Sequence, residues 1–130
     1  MIVVDASAVL EVLVQTPAAS YVADRLFAPG ESLHAPHLLD VEVAQVVRRY
    51  GKRGGVRKAR RREMLQDLRR MPLERYGHRA LLGRVWELRE HVTAYDAAYL
   101  ALAEALGCPL VTRDARLASA GGHRAQIDVL

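Results

Sequence analysis

Four acidic residues, Asp5, Glu42, Asp96 and Asp114, stand where a carboxylate is either a helix cap or a piece of chemistry. Asp5 closes the apolar run "MIVV", and Asp114 follows "PLVT" after a single arginine. Asp96 opens the apolar stretch "AAYLALA" (residues 97–103), and Glu42 follows "SLHAP" by a few residues. Each has an ordinary reading. Asp5 suits the N-cap of a helix beginning near Ser7, and Asp114 suits a cap in "TRDAR". "TAYD" has capping-box spacing with Thr93 as the cap, and Glu42 suits a solvated helix face beside Gln45 and Arg49. Gathered in one crevice, the same groups would repel and hold their protons above the usual carboxylate range until a cation neutralised them. A hard divalent ion with oxygen ligands, Mg²⁺ or Mn²⁺, is the natural partner. Such an ion polarises a phosphoryl oxygen and acidifies a bound water, which is the chemistry of phosphodiester hydrolysis.

The elements that must position these acids alternate between strand and helix. "MIVV", "SLHAP", "PLERY", "CPLVT" and "QIDVL" read as short strands. "SAVLEVLVQ" has helical spacing, and Thr16–Pro17 reads as the cap and first residue of a helix running to about Phe27. A helix from about His37 to Tyr50 carries Leu39, Val43, Val46 and Tyr50 on its buried stripe. Gly51, Gly54 and Gly55 break it, and a basic helix resumes from Val56 to Met71. Residues 78–90 read as an amphipathic helix with Leu81, Leu82, Val85, Trp86 and Leu88 inward. A further helix runs from about Ala94 to Leu106 and stops at Gly107; a short one covers "DARLASA". The expected fold is α/β, a three-layer α/β/α sandwich with a central parallel sheet of four to five strands, filling residues 1–130 as one domain.

In such sheets ligands lie beyond the carboxyl ends of the strands, which places Asp5 and Asp114 at one edge. Glu42, one or two turns after the second strand, falls there too. Asp40 lies two residues away and about 200° round the helix, so only one of the pair can face the crevice. The helix opened by Asp96 is expected to run antiparallel to the next strand and to leave Asp96 near the sheet's other end.

Charge is segregated along the chain, whose formal net charge is +4. Residues 1–47 hold six acids against Arg25 alone, whereas "RRYGKRGGVRKARRR" (48–62) holds nine bases and no acid. A run of like charge is commonly a solvated face. Nine uncompensated cations also suit an anionic partner, with Arg48, Arg49, Lys52, Arg53, Arg57, Lys58, Arg60, Arg61 and Arg62 as candidate contacts to RNA phosphates. Aromatic residues make up 5% of the chain, so recognition by RNA shape suits it better than base stacking on an aromatic platform. Cys108 is alone, and His34, His37, His78, His91 and His123 have no metal-ligand spacing. No apolar run reaches 18 residues and Asp5 interrupts any signal-peptide core, so the expected setting is the cytoplasm, with no membrane.

The segments "VVDASAVL", "APHLLDVEVAQVVRR" and "TAYDAAYLALAEALGCPLVTRDARLA", in that order and separation, resemble the PIN-domain nucleases. The resemblance spans essentially the whole chain and is closest to the small VapC-type ribonuclease toxins of prokaryotic toxin–antitoxin pairs. It implies a metal-dependent endoribonuclease whose acidic quartet is Asp5, Glu42, Asp96 and Asp114, with Mg²⁺ (or Mn²⁺) as cofactor. It selects Glu42 over Asp40 and brings the start of the "TAYD" helix to the active site. In the family the fourth acid is the most variable in role. Ser7 and Thr112 match small hydroxyl positions near the family site, although Ser7 reads first as a helix cap. The resemblance further implies a cognate VapB-type antitoxin and a homodimer. A haloacid-dehalogenase-type phosphatase would need a second acid where Ser7 stands. A receiver domain would need paired acids before its phosphorylated residue, and neither rival explains the basic run. The alternative of another class is a PIN-like module that binds RNA or an antitoxin without catalysis.

Overall fold

The computed structural model covers residues 1–130 and builds its sheet from five short strands. β1 (Ile2–Val4), β2 (Leu33–Pro36), β3 (Leu73–Tyr76), β4 (Leu110–Thr112) and β5 (Ile127–Val129) pair in the order β3-β2-β1-β4-β5. All neighbours are parallel. Every residue of β1 and β4 is buried, as strands covered on both faces must be. The helices are α1 (Ala6–Val14), α2 (Ala19–Leu26), α3 (Leu38–Lys52), α4 (Lys58–Arg70), α5 (Leu82–Glu87), α6 (Ala94–Leu106) and α7 (Ala115–Ser119).

The chain steps one way along the sheet from β1 to β3 and the other way from β3 to β5. With right-handed crossovers, that reversal puts α1 to α4 on one face and α5 and α6 on the other. The packing agrees, with α1 against α2, α3 and α4, and α5 against α6. The expected three layers are therefore present, on five strands. Adjacent β1 and β4 lead away in opposite directions, so a crevice opens between their carboxyl ends.

The expectation that Asp96 lies at the far end of the sheet is wrong, and the reason is simple. α6 does feed β4, and a helix that runs antiparallel to the strand it enters must begin where that strand ends. The antiparallel path itself delivers Asp96 to the crevice, where it shares a cleft with Asp114.

Several local expectations also shift. α1 ends with Gln15 in the left-handed region (φ 60°), and α2 starts at Ala19, not at Pro17. The Thr16 hydroxyl donates to Glu11, so it does not cap α2. α3 runs through Gly51 to Lys52, and α4 begins two residues later than Val56. Residues 78–90 divide into a 3-10 turn (Arg79–Leu81) and the short α5. Leu81 and Leu88 are buried, but Leu82 and Trp86 are 58% and 69% exposed. Leu81, Val85 and Leu88 fall on one helix face, while positions 82 and 86 are rotated by about 100° and 140° from it. The Trp86 ring instead carries the Arg89 guanidinium, 4.8 Å from its centroid. No helix is long and apolar enough to cross a membrane.

α6 is the central brace, buried from Ala97 through Ala103, and its end is set by Gly107 at φ 63°. A Cβ at Gly107 would meet no atom within 4 Å. Gly107→Ala is thus a pure backbone perturbation. It should lower unfolding free energy by about 1–2 kcal/mol in a urea titration without altering the far-ultraviolet dichroism.

Candidate active site

Asp5 is the hub of the crevice. It caps α1, its Oδ1 accepting from the Ala8 N–H at 3.1 Å and from the Ser7 hydroxyl at 2.6 Å. Its Oδ2 accepts from the Thr112 hydroxyl at 2.5 Å. Those two hydroxyls then accept from the next turn, Ser7 Oγ from the Arg113 N–H at 2.8 Å and Thr112 Oγ1 from the Asp114 N–H at 2.9 Å. Ser7 is therefore no cap; together with Thr112 it stitches the β1–α1 turn to the β4–α7 turn around one carboxylate. Burial pushes the Asp5 carboxyl above its ordinary range, against the opposing pull of these hydrogen bonds.

Glu42 reaches the same region from the second turn of α3. The helix is started by His78, whose Nε2 accepts from the Leu38 N–H at 3.1 Å and satisfies an orphan donor. Glu42 Oε2 accepts from the Tyr99 hydroxyl at 2.5 Å. Burial raises the Glu42 carboxyl, Tyr99 opposes that rise, and the charges of Asp5 and Asp96 add to it. Asp40, the competing acid, faces away and forms a two-pronged pair with Arg75 at 2.7 and 3.0 Å.

Asp96 and Thr93 do form the capping arrangement: Thr93 Oγ1 accepts from the Asp96 N–H at 3.1 Å and donates to Asp96 Oδ2 at 2.9 Å. Capping leaves Oδ1 free of these bonds, so cap and site coincide. Asp114 lines the same open cleft of about 620 Å³. It caps α7 through the Arg116 N–H at 3.0 Å and grips the Arg116 guanidinium at 2.9 and 2.6 Å. That hydrogen-bonded partner holds its carboxyl below the usual range.

The quartet thus divides. The charges of Asp5 and Asp96 bear on Glu42, with no cation among the partners of Asp5 or Glu42, whereas Asp114 is compensated by its own turn. No three acidic, imidazole or thiol groups are already drawn together as a ligand set. The donor chemistry nonetheless fits a hard divalent ion: oxygen ligands, two of them desolvated, with net negative charge left unbalanced.

The basic segment starts beside this site and runs away from it. Arg49 is about 10 Å along α3 from Glu42 on nearly the same face. The two line an apolar groove with Leu38, Val41, Val46 and Tyr95. Arg48, Arg49, Lys52, Arg53, Arg57, Lys58 and Arg62 are exposed. Arg60 and Arg61 are half-buried and used internally. Arg60 donates to the Leu13 carbonyl at 2.8 Å, and Arg61 lies so close over Gly51 that a Cβ there would strike its guanidinium.

A family model described as the PIN domain matches residues 2–122. The chain belongs to the PIN-domain family. Ribonuclease VapC9 of Mycobacterium tuberculosis is 45% identical over 130 residues, covering 100% of this chain and 98% of that protein. Ribonuclease VapC12 of the same organism is 40% identical over 139 residues, covering 100% and 99%. The crystal structure of VapBC2 from Rickettsia felis bound to a DNA fragment from their promoter contains a chain that superposes with a TM-score of 0.72. That match is 16% identical, covers 99% of this chain and 98% of the other, and speaks to the fold.

In this PIN domain two polar groups at the site escape a sequence reading. Tyr99 sits inside an apolar run and reads as core, and Arg116 reads as one more surface cation. Only the three-residue spacing of Tyr99 from Asp96, which puts both on one face of α6, could have signalled it.

The raised carboxyls give this PIN domain a pH signature. A folded pKa above the unfolded one costs stability in full once pH exceeds the folded value; the cost fades between the two values and is gone below the unfolded one. In EDTA, Glu42→Gln should therefore melt above wild type at pH 7, because the amide keeps an acceptor for Tyr99 without the charge. The difference should shrink as pH drops toward the ordinary carboxylate range. A gap independent of pH would mean that Glu42 is not raised.

Proposed function

We propose that this PIN domain is a metal-dependent endoribonuclease, the toxin of a VapBC-type toxin–antitoxin pair. It hydrolyses phosphodiester bonds in structured RNA, of the tRNA or rRNA kind. The observation that carries the reading is the set of uncompensated, partly desolvated carboxylates at the β1/β4 switch point. The ribonuclease names of relatives at 45% and 40% identity support it. Asp5, Glu42 and Asp96 would hold Mg²⁺ or Mn²⁺, joined by Asp114 when Arg116 turns away. A divalent ion held there supplies a Lewis acid for the phosphoryl oxygen and a water of lowered pKa.

The chain's own groups do the positioning. Ser7 and Thr112 fix both oxygens of Asp5, so the carboxylate does not reorganise as charge develops. The Arg116 side chain is 90% exposed, free to exchange Asp114 for a phosphate oxygen. The basic segment gathers the polyanion, the antitoxin is a cognate VapB-type protein, the working unit is a homodimer and its setting is the cytoplasm.

Expression in a bacterial host tests the toxin assignment. Induction should arrest growth with a few discrete new RNA 5′ ends in folded regions, and co-expression of the cognate VapB-type antitoxin should relieve it. Arrest without new RNA ends would point to a module that acts by binding alone.

A further inference from the structure

Tyr99 is the polar side chain in the buried run of α6, 2% exposed among alanines and leucines. A phenol at that depth has to find partners. It finds one on another element, donating to Glu42 Oε2 on α3 at 2.5 Å. One hydroxyl thus joins α3 to α6 at the side chain next to Asp5 in the crevice. Glu42 is only half-buried and could be satisfied by water, so its own solvation does not require the phenol.

We propose that Tyr99 is a positioning residue for Glu42: its hydroxyl anchors Oε2 and leaves Oε1 available to a metal ion. This rests on the metal-dependent reading above. The chemistry follows from donor and acceptor count. An ionised carboxylate has no hydrogen to give, so the phenolic hydrogen points at Glu42 and the bond has one direction. A glutamate with three free torsions is held in one geometry before the ion arrives, and that ordering cost does not fall on binding. Phenylalanine would keep the ring and the packing while releasing the carboxylate.

The test is Mn²⁺ binding, followed by the electron paramagnetic resonance of the free ion, on wild type, Tyr99→Phe, Glu42→Ala and the double variant. Outer-sphere partners of metal ligands are typically worth about 10- to 100-fold in affinity, so Tyr99→Phe should bind Mn²⁺ weaker by that factor. In the Glu42→Ala background the same change should have no further effect, which a merely structural role would not produce. Wild-type affinity in Tyr99→Phe, or losses that multiply in the double variant, would overturn the positioning role alone. A wild type that binds no Mn²⁺ would overturn both this role and the metal-dependent reading. If Tyr99→Phe does not fold, the Tyr99 ¹³Cζ resonance of the intact protein decides. It should move on adding Mg²⁺ and on Glu42→Gln without metal; an unmoved resonance contradicts the proposal.

Discussion

Asp5→Asn should reduce RNA cleavage by on the order of 10³-fold or more while leaving the fold and RNA affinity in place. The asymmetry follows from the hub geometry. Asparagine is as good an N-cap as aspartate, so the Ala8 N–H keeps its acceptor. The Thr112 hydroxyl can rotate to accept from the new amide N–H and donate to the Ser7 hydroxyl 3.3 Å away, which still donates to the amide oxygen. What cannot be replaced is the negative charge. Because burial already works against that charge, its removal should leave the metal-free protein melting no lower than wild type at neutral pH. Single-turnover cleavage, filter binding and thermal melting on the same preparation check the three parts. Cleavage at the wild-type rate would remove Asp5 from the active site.

The second large effect belongs to the basic segment. Arg53, Arg57, Lys58 and Arg62 are exposed and line neither the Asp96–Asp114 cleft nor the groove beside Glu42. Changing all four to alanine should weaken RNA binding on the order of 10²-fold at moderate salt. It should also lower the slope of log affinity against log salt by about 3, at roughly 0.7 per phosphate contact. Cleavage at saturating RNA should change little, since these side chains touch no reacting atom. An unchanged slope would make the segment a solvated face. Arg60 and Arg61 are excluded from the set because they tie α4 to α1 and α3, where truncation would confound binding with stability.

What the sequence revealed and concealed has physical causes. Asp5 and Asp114 were readable because a strand that ends in an acid leaves it at the carboxyl edge of a parallel sheet. Glu42 was separable from Asp40 only through the resemblance, since both face plausible surroundings; the structure adds the reason, an Arg75 clamp on Asp40. Asp96 was misplaced by following the helix direction without asking at which end the next strand begins. Tyr99 was invisible as a site residue, because helical spacing marks which side chains are inward but not which of them meet a polar partner from another element. The same blindness turned Leu82 and Trp86 inward, where a broad apolar stripe was assumed and a narrow one suffices. Ser7 looks like a cap because its hydroxyl sits at a helix start; that hydroxyl instead joins Asp5 to the Arg113 N–H, more than a hundred residues away.

Incubation of total cellular RNA with the purified protein, in Mg²⁺, in Mn²⁺, in EDTA, and in EDTA followed by excess metal, tests the central claim most directly. A small set of discrete fragments should form with either ion, vanish in EDTA and return when metal is restored. Cleavage undiminished in EDTA, or intact RNA under every condition, would contradict a carboxylate-held metal as the source of the chemistry.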